Sequence, residues 1–279
     1  TKQVKESAGF YAEFSDFLTI RDCHITNFAT AGIWVDKSSH VAIMHNVIRG
    51  VGYPLISPGD NYCFGIGISN NVESASEPCI EDILVAFNTI SDTAQGIIEG
   101  GKGPKKYVRY LNNHVFHIVG EHGLYLTAGS DRIISGNTIA DTQGVGMKIQ
   151  IWRALLQGAD NISITNNSIK ATKSHGILLT ILEDTQLTIE NVVVVGNTIA
   201  DTGNDGIAAI GGVFNATIAD NAISQARDGI SLRGCTGIVE GNTIREIKHR
   251  AVCVSAAAVS VPRPLEAHIL IKGNRCINI

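Results

Sequence analysis

Four side chains able to give or take a proton fall at equivalent places in a short recurring pattern: His122, Tyr125, Lys148 and His175. His122 and His175 immediately precede a glycine, Gly123 or Gly176, while Tyr125 and Lys148 each lie two residues after one, Gly123 or Gly146. Each glycine opens a short alternating segment. Side chains of an extended strand alternate between faces, so positions −1, +2 and +4 from that glycine point outward together. If successive segments stack at about 4.8 Å, the four groups gather within roughly 10 Å. Such a group suits proton abstraction beside a carboxylate. Lys148 would neutralise the carboxylate, and Tyr125, His122 or His175 would serve as base and acid. Glu121 and Glu99 lie beside them, and the same outward positions offer Trp34, Gln150 and Arg233 as substrate contacts. Trp152 and Arg153 directly follow the Lys148 segment and would wall a substrate groove. Insertions add Tyr53 and Tyr62 as rings for stacking on a ligand and Asp60, Glu183 and Asp184 as polar partners. The plain alternative is a solvated sheet face, which needs polar outward residues in any case.

Two further groups invite a chemical reading. Asp205 and Asp228 both precede the glycine, in adjacent repeats, so their carboxyls would lie about 5 Å apart, the spacing of a retaining glycosidase pair. Asp-Gly is also a favoured corner dipeptide, which gives the same residues a structural role. Glu99 alone interrupts the inward column, which otherwise runs from Phe10 and Ala12 to Val252 and Val254. A buried carboxylate is costly unless bonded. Either Glu99 is functional or a bulge, with the glycines of GIIEGG, turns it outward.

The elements that would position these groups are written in the repeat. It reads GNTIADTQGVGMKIQ from Gly136, NNSIKATKSHGILLT from Asn166, GNTIADTGNDGIAAI from Gly196 and DNAISQARDGISLR from Asp220. Asparagines form one series: Asn27, Asn46, Asn88, Asn113, Asn137, Asn167, Asn197, Asn221, Asn242 and Asn274. Glycines form a second, from Gly9 and Gly32 through Gly206 and Gly229, with Ala251 continuing it. Most intervals are roughly 22 to 33 residues, a solenoid period. The apolar segments alternate with period two, are short and rich in β-branched residues, and end in Gly, Asn or Asp, so they are strands rather than helices. The expected fold is all-β: a single-stranded parallel β-helix of about ten coils, with residues 1–279 as one domain. The asparagines would form a buried amide ladder from coil to coil, and the glycines would supply unusual corner dihedrals. The sequons at Asn161, Asn166 and Asn215 read as corner residues of the same kind.

On these repeats the chain resembles the right-handed parallel β-helix superfamily, which includes pectate and alginate lyases, mannuronan epimerases, inulin fructotransferases and phage tailspikes. The resemblance covers almost the whole chain from Gly9 onward. It implies a carbohydrate-active protein that cleaves or rearranges a polysaccharide on its lateral face, as a lyase or glycosidase, without a cofactor or metal. The alternatives are a glycan-binding, tailspike-like adhesion module, as a homotrimer, or a structural β-helix. The Asp-Pro-His-Asp tetrad of the epimerases, the Gly-His-Gly and Arg-x-Lys pair of polygalacturonases and a pectate-lyase calcium cluster are not found in the sequence. No catalytic residue therefore carries over by position.

Composition narrows the classes further. Of 279 residues, 44% are hydrophobic and 17% charged, which is globular. A net charge of −4 gives no basic footprint for nucleic acid. No apolar run has the length of a membrane span. The six cysteines show no paired or zinc spacing and read mostly as free, buried thiols. TKQVKESAGF lacks the pattern of a signal peptide. The resemblance nevertheless places the protein outside the cell, on a cell surface or on a virion. Both ends look like unfinished coils, so the expectation is a piece of a longer protein, or ends capped by a partner.

Overall fold

The computed structural model describes residues 8–50, 63–72, 74, 78–152, 154–182, 185–256 and 268–279. Within them the chain winds through three strands per turn, and each strand pairs in parallel with its counterparts one coil before and after. In one coil, Met147–Ile151 lies on the first face, Ala159–Thr165 on the second and Ser168–Thr172 on the third. In the next coil the same places are taken by Ile177–Ile181, Ile189–Val195 and Thr198–Thr202. The third face is a ladder of 10 strands, which sets the number of coils. The first and second faces join into one sheet of 18 strands, because Ile207–Ala219 and Asp228–Glu240 run through the corner as strands of 13 residues each. This is the parallel β-helix that the repeat implies.

Period-two alternation fills the interior. Ile33 and Val35, Ile66 and Ile68, Leu124 and Leu126, Met147 and Ile149, Ile177 and Leu179 are all buried on the first face. They meet a third-face column of Ile48, Ile90, Val115, Ile139, Ile169, Ile199, Ile223 and Ile244, also buried. Each such side chain contributes roughly 1.5–3 kcal/mol of burial.

The amide ladder forms with one change of membership. From Asn46 to Asn242, each Nδ2 donates to the Oδ1 of the next asparagine at 2.9–3.0 Å. The first place belongs to Cys23, whose backbone N–H donates to Asn46 Oδ1 at 3.0 Å. Asn27 instead takes a left-handed corner beyond the His24–Thr26 strand, with φ 58°.

The glycine column has a different cause from the one expected. None of Gly32, Gly65, Gly96, Gly123, Gly146, Gly176 or Gly206 has a positive φ. A Cβ at Gly176 would meet Ile199 Cγ2 at 2.5 Å and Gly206 O at 2.6 Å. These glycines let the third-face isoleucines reach across the interior, while Asn161, Asn166 and Asn215 take left-handed corners elsewhere, with φ of 52–55°.

Glu99 is a second correction. Strand Gln95–Gly100 pairs in unbroken register with Phe64–Ser69, Glu99 opposite Ile68, so no bulge turns it outward. Its side chain stays inside and is neutralised there. Arg132 Nη2 donates to Oε2 at 2.5 Å, Tyr110 Oη donates to Oε1 at 2.8 Å, and the Thr127 N–H adds a bond at 3.3 Å. Lys105, equally buried, donates to Gly103 O and Thr127 Oγ1. Burial lowers its pKa to about 8, against the opposing pull of Glu99.

Candidate functional site

The outward side of the first face carries a groove of about 820 Å³, a volume that suits a ligand site. Register explains its floor. One outward column runs Trp34, Gly67, Ile98, Tyr125, Lys148, Leu178, and the next runs Asp36, Ser69, Gly100. The glycines at 67 and 100 open a trough where other coils carry side chains. The Phe64 ring lies across Gly67, where an added Cβ would stand 2.3 Å from it. Trp34 packs edge-on against Phe64 at 5.6 Å. Its indole N–H donates to Ser69 Oγ at 2.8 Å, and Ser69 donates to the buried carboxylate of Asp36 at 2.8 Å. The Asn71 amide also donates to Asp36, at 3.0 Å, so the Trp34 ring is held by a chain of bonds.

At the other end of the trough stand Glu121, His122, Tyr125, Lys148 and Gln150. His122 Nδ1 accepts the backbone N–H of Val145, one coil on, at 3.2 Å. A ring nitrogen that accepts carries no proton, so neutral His122 holds its hydrogen on Nε2. Burial, and then the charge of Lys148, lower the His122 pKa to about 3, which keeps the ring neutral. Its Nε2 lies 3.4 Å from Lys148 Nζ and 3.8 Å from Glu121 Oε2. An Nε2–H can bond Lys148 only when the lysine is a neutral amine. Burial lowers the Lys148 pKa in that direction, with Glu121 opposing. The ammonium form is held 5.5 Å over the Tyr125 ring. Burial raises the Tyr125 pKa to about 12, with Glu121 adding to the effect, so the phenol stays protonated.

The same corner position repeats farther along the axis. His175 Nδ1 accepts the Asp205 N–H at 3.3 Å, and Asp228 Oδ1 accepts the Arg250 N–H at 3.0 Å. Burial lowers the His175 pKa, with Asp205 opposing. These side chains cap the backbone of the following coil. The two carboxylates are each held by an arginine: Arg227 Nη2 bonds Asp205 Oδ1 at 2.9 Å, and Arg250 Nη2 bonds Asp228 Oδ2 at 2.8 Å. Burial pushes the Asp228 pKa up, but the bonds and charge of Arg250 outweigh it and the net shift is downward. A glycosidase acid needs the opposite shift.

Of the residues singled out from sequence, the groove brings together Trp34, Glu99 at its floor, His122, Tyr125, Lys148 and Gln150. His175, Asp205, Asp228 and Arg233 follow on the same face but do not line it. Trp152 packs against the core. Arg153, Tyr53, Tyr62, Asp60, Glu183 and Asp184 lie outside the described residues. Phe64, Ser69, Asn71 and Leu182 also line the groove, and sequence reasoning passed over them as site residues. The available signal was glycine in outward positions, FGIGIS and GIIEGG, which marks a trough. Among the described residues no group of three His, Cys, Asp or Glu converges to hold a metal ion. Nor is any described helix long and apolar enough to cross a membrane.

The comparisons with known proteins agree with this architecture. The family described as "Right handed beta helix region" matches residues 65–223 and 155–263. The surface adhesin PfbA of Streptococcus pneumoniae superposes with a TM-score of 0.72 at 15% identity, over 87% of this chain and 62% of that one. The periplasmic alginate epimerase AlgG superposes with a TM-score of 0.53 at 16% identity, over 88% of this chain and 60% of that one. The chain thus spans about three fifths of these proteins, and at such identities the likeness is one of fold. No curated protein sequence matches it. By the family match over more than half its length, the chain belongs to the right-handed parallel β-helix family.

Proposed function

We propose that the groove binds a polysaccharide strand and moves a proton at the carbon beside a uronate carboxylate. Lys148 Nζ, as the neutral amine, takes the C5 proton, and the electron pair of the broken C–H bond delocalises into the carboxylate. Elimination follows when that pair forms the C4–C5 double bond and the glycosidic oxygen leaves with the Tyr125 proton. Return of a proton to C5 instead would epimerise the sugar. His122 is a positioning residue: its Nε2–H faces Lys148 and favours the amine over the ammonium. The observation that carries this reading is the Val145 N–H on His122 Nδ1, which fixes the tautomer presented to Lys148. The fold likeness to an alginate epimerase supports uronate polymers as first substrates. The settings named for the adhesin and for that epimerase support a place outside the cytoplasm.

A second reading keeps the groove and drops the chemistry. The half-buried Trp34 ring, backed edge-on by Phe64, and Ile98 give the groove an apolar surface of the kind that stacks on sugars, and a glycan-binding adhesion module needs no more than that. A panel including alginate and pectate separates the two, read at 235 nm for unsaturated ends, for reducing ends and for binding. The proton-transfer reading expects absorbance that falls roughly 10²–10⁴-fold in Lys148→Ala and Tyr125→Phe. Binding without any turnover would replace it with the adhesion reading.

A further inference from the structure

Among the described residues the groove's lining begins at Trp34 and stops at Lys148, Gln150 and Leu182. Toward the first coils its mouth is formed by Trp34, with Tyr11 edge-on to it at 5.5 Å, both half-buried. Past Lys148 the same outward column is covered: Leu178 is 9% exposed, Ala208 0% and Ser231 0%. Leu178 and Ala208 join Val145 and Ile210 in a small apolar cluster outside the sheet, and Leu182 closes the lining. The lining therefore extends from the second coil to the seventh, five steps of about 4.8 Å or roughly 24 Å, and among the described residues it goes no farther along this column. At that stopped end sits Gln150. It is 8% exposed and lines the groove, and its buried Oε1 has no hydrogen-bond partner. A buried acceptor left unmet is costly, so its natural complement is a donor brought by the ligand.

We propose that the groove receives the end of a glycan chain, and that a hydroxyl of the terminal sugar donates to Gln150 Oε1. An internal sugar keeps other hydroxyls, but at that position it carries a further residue, which the end of the groove leaves no room for. The inference rests on the groove being a glycan site and specifies which part of the glycan enters. It makes the protein an end-acting rather than a mid-chain-acting one, with Lys148 one coil from the stop.

The test is calorimetric titration of the whole chain with polygalacturonate, polyglucuronate and polymannuronate, each as a short polymer and a tenfold longer one. End recognition expects binding sites to scale with the number of chain ends, so the longer polymer offers about a tenth as many sites per gram. It also expects Gln150→Leu to weaken binding tenfold or more while circular dichroism and the melting transition stay those of the parent. Gln150→Glu, which keeps an acceptor, should hold more of the affinity than Gln150→Leu. Sites proportional to mass, or unchanged affinity in a folded Gln150→Leu, would overturn end recognition and leave the glycan site standing. Failure of every polymer to bind would overturn both.

Discussion

At the scale of single residues, the reading turns on one ring nitrogen. His122 Nδ1 is occupied by a backbone N–H, and the His122 pKa sits near 3. Activity should therefore show no limb near pH 6.5, where an ordinary histidine base would switch on. It should rise as pH passes the lowered pKa of Lys148 and fall only as the Tyr125 phenol ionises toward about 12. A pH–rate profile of kcat with a single ionisation near 6.5 would contradict this assignment. The same residue links pH to stability. With a folded pKa far below the ordinary 6.5, the unfolded chain takes the proton first as pH falls. Stability from His122 is thus fully present above 6.5 and is lost down to about 3, at no more than about 1.4 kcal/mol per pH unit. His122→Asn keeps an acceptor for Val145 and removes the titration, so its urea midpoint should depend less on pH between 6.5 and 4. The meeting of Tyr125 and Lys148 was legible in the sequence, because the glycine phase and period-two alternation fix which side chains point outward. The tautomer was not, since it depends on the backbone N–H of the next coil.

At the scale of elements, the structure rests on columns that repeat from coil to coil. Asn197 donates to Ile164 O and Asn221 Oδ1 and accepts from both the backbone and the amide of Asn167. Asn197→Ala removes four hydrogen bonds and leaves the buried Asn167 N–H without its acceptor, at about 1–3 kcal/mol for that group. Asn221 Oδ1 keeps the Asn197 backbone N–H, so a loss of a few kcal/mol is expected in denaturant titration. Gly176→Ala should also be severe, through contact with Ile199 and Gly206 rather than dihedral strain. Ala251, which continues the column in the last coil, marks where a methyl is tolerated. Glu99→Gln would leave Arg132 and Lys105 without their buried counter-charge, at about 3–5 kcal/mol, and should lower the melting temperature whatever it does to activity. The asparagine and glycine columns were legible as spacing. The physical cause of the glycines and the interior place of Glu99 were not. Alternation put Glu99 inward, but its partners Arg132, Tyr110 and Thr127 come from later in the chain, and no local pattern announces their approach.

At the scale of the whole molecule, a solenoid gives function a lateral face rather than an enclosed pocket. Regular coils make a flat sheet, and the groove arises where regularity fails, at Gly67 and Gly100 and under the rings of Trp34 and Phe64. The ten coils of the described residues follow from the repeat period. The stop beyond Lys148 does not, because burial of outward side chains such as Ala208 and Ser231 runs against the alternation rule. The central claim is that this face moves a carbon-bound proton under the control of Lys148. The most direct measurement is incorporation of deuterium into uronate polysaccharides in heavy water, read by nuclear magnetic resonance alongside absorbance at 235 nm, for the parent chain and Lys148→Ala. The account predicts exchange at C5 or new unsaturated ends with the parent, and a loss of at least about a hundredfold in the variant. Exchange that survives Lys148→Ala unchanged, or a bound polymer whose C5 proton never exchanges or leaves, would contradict it.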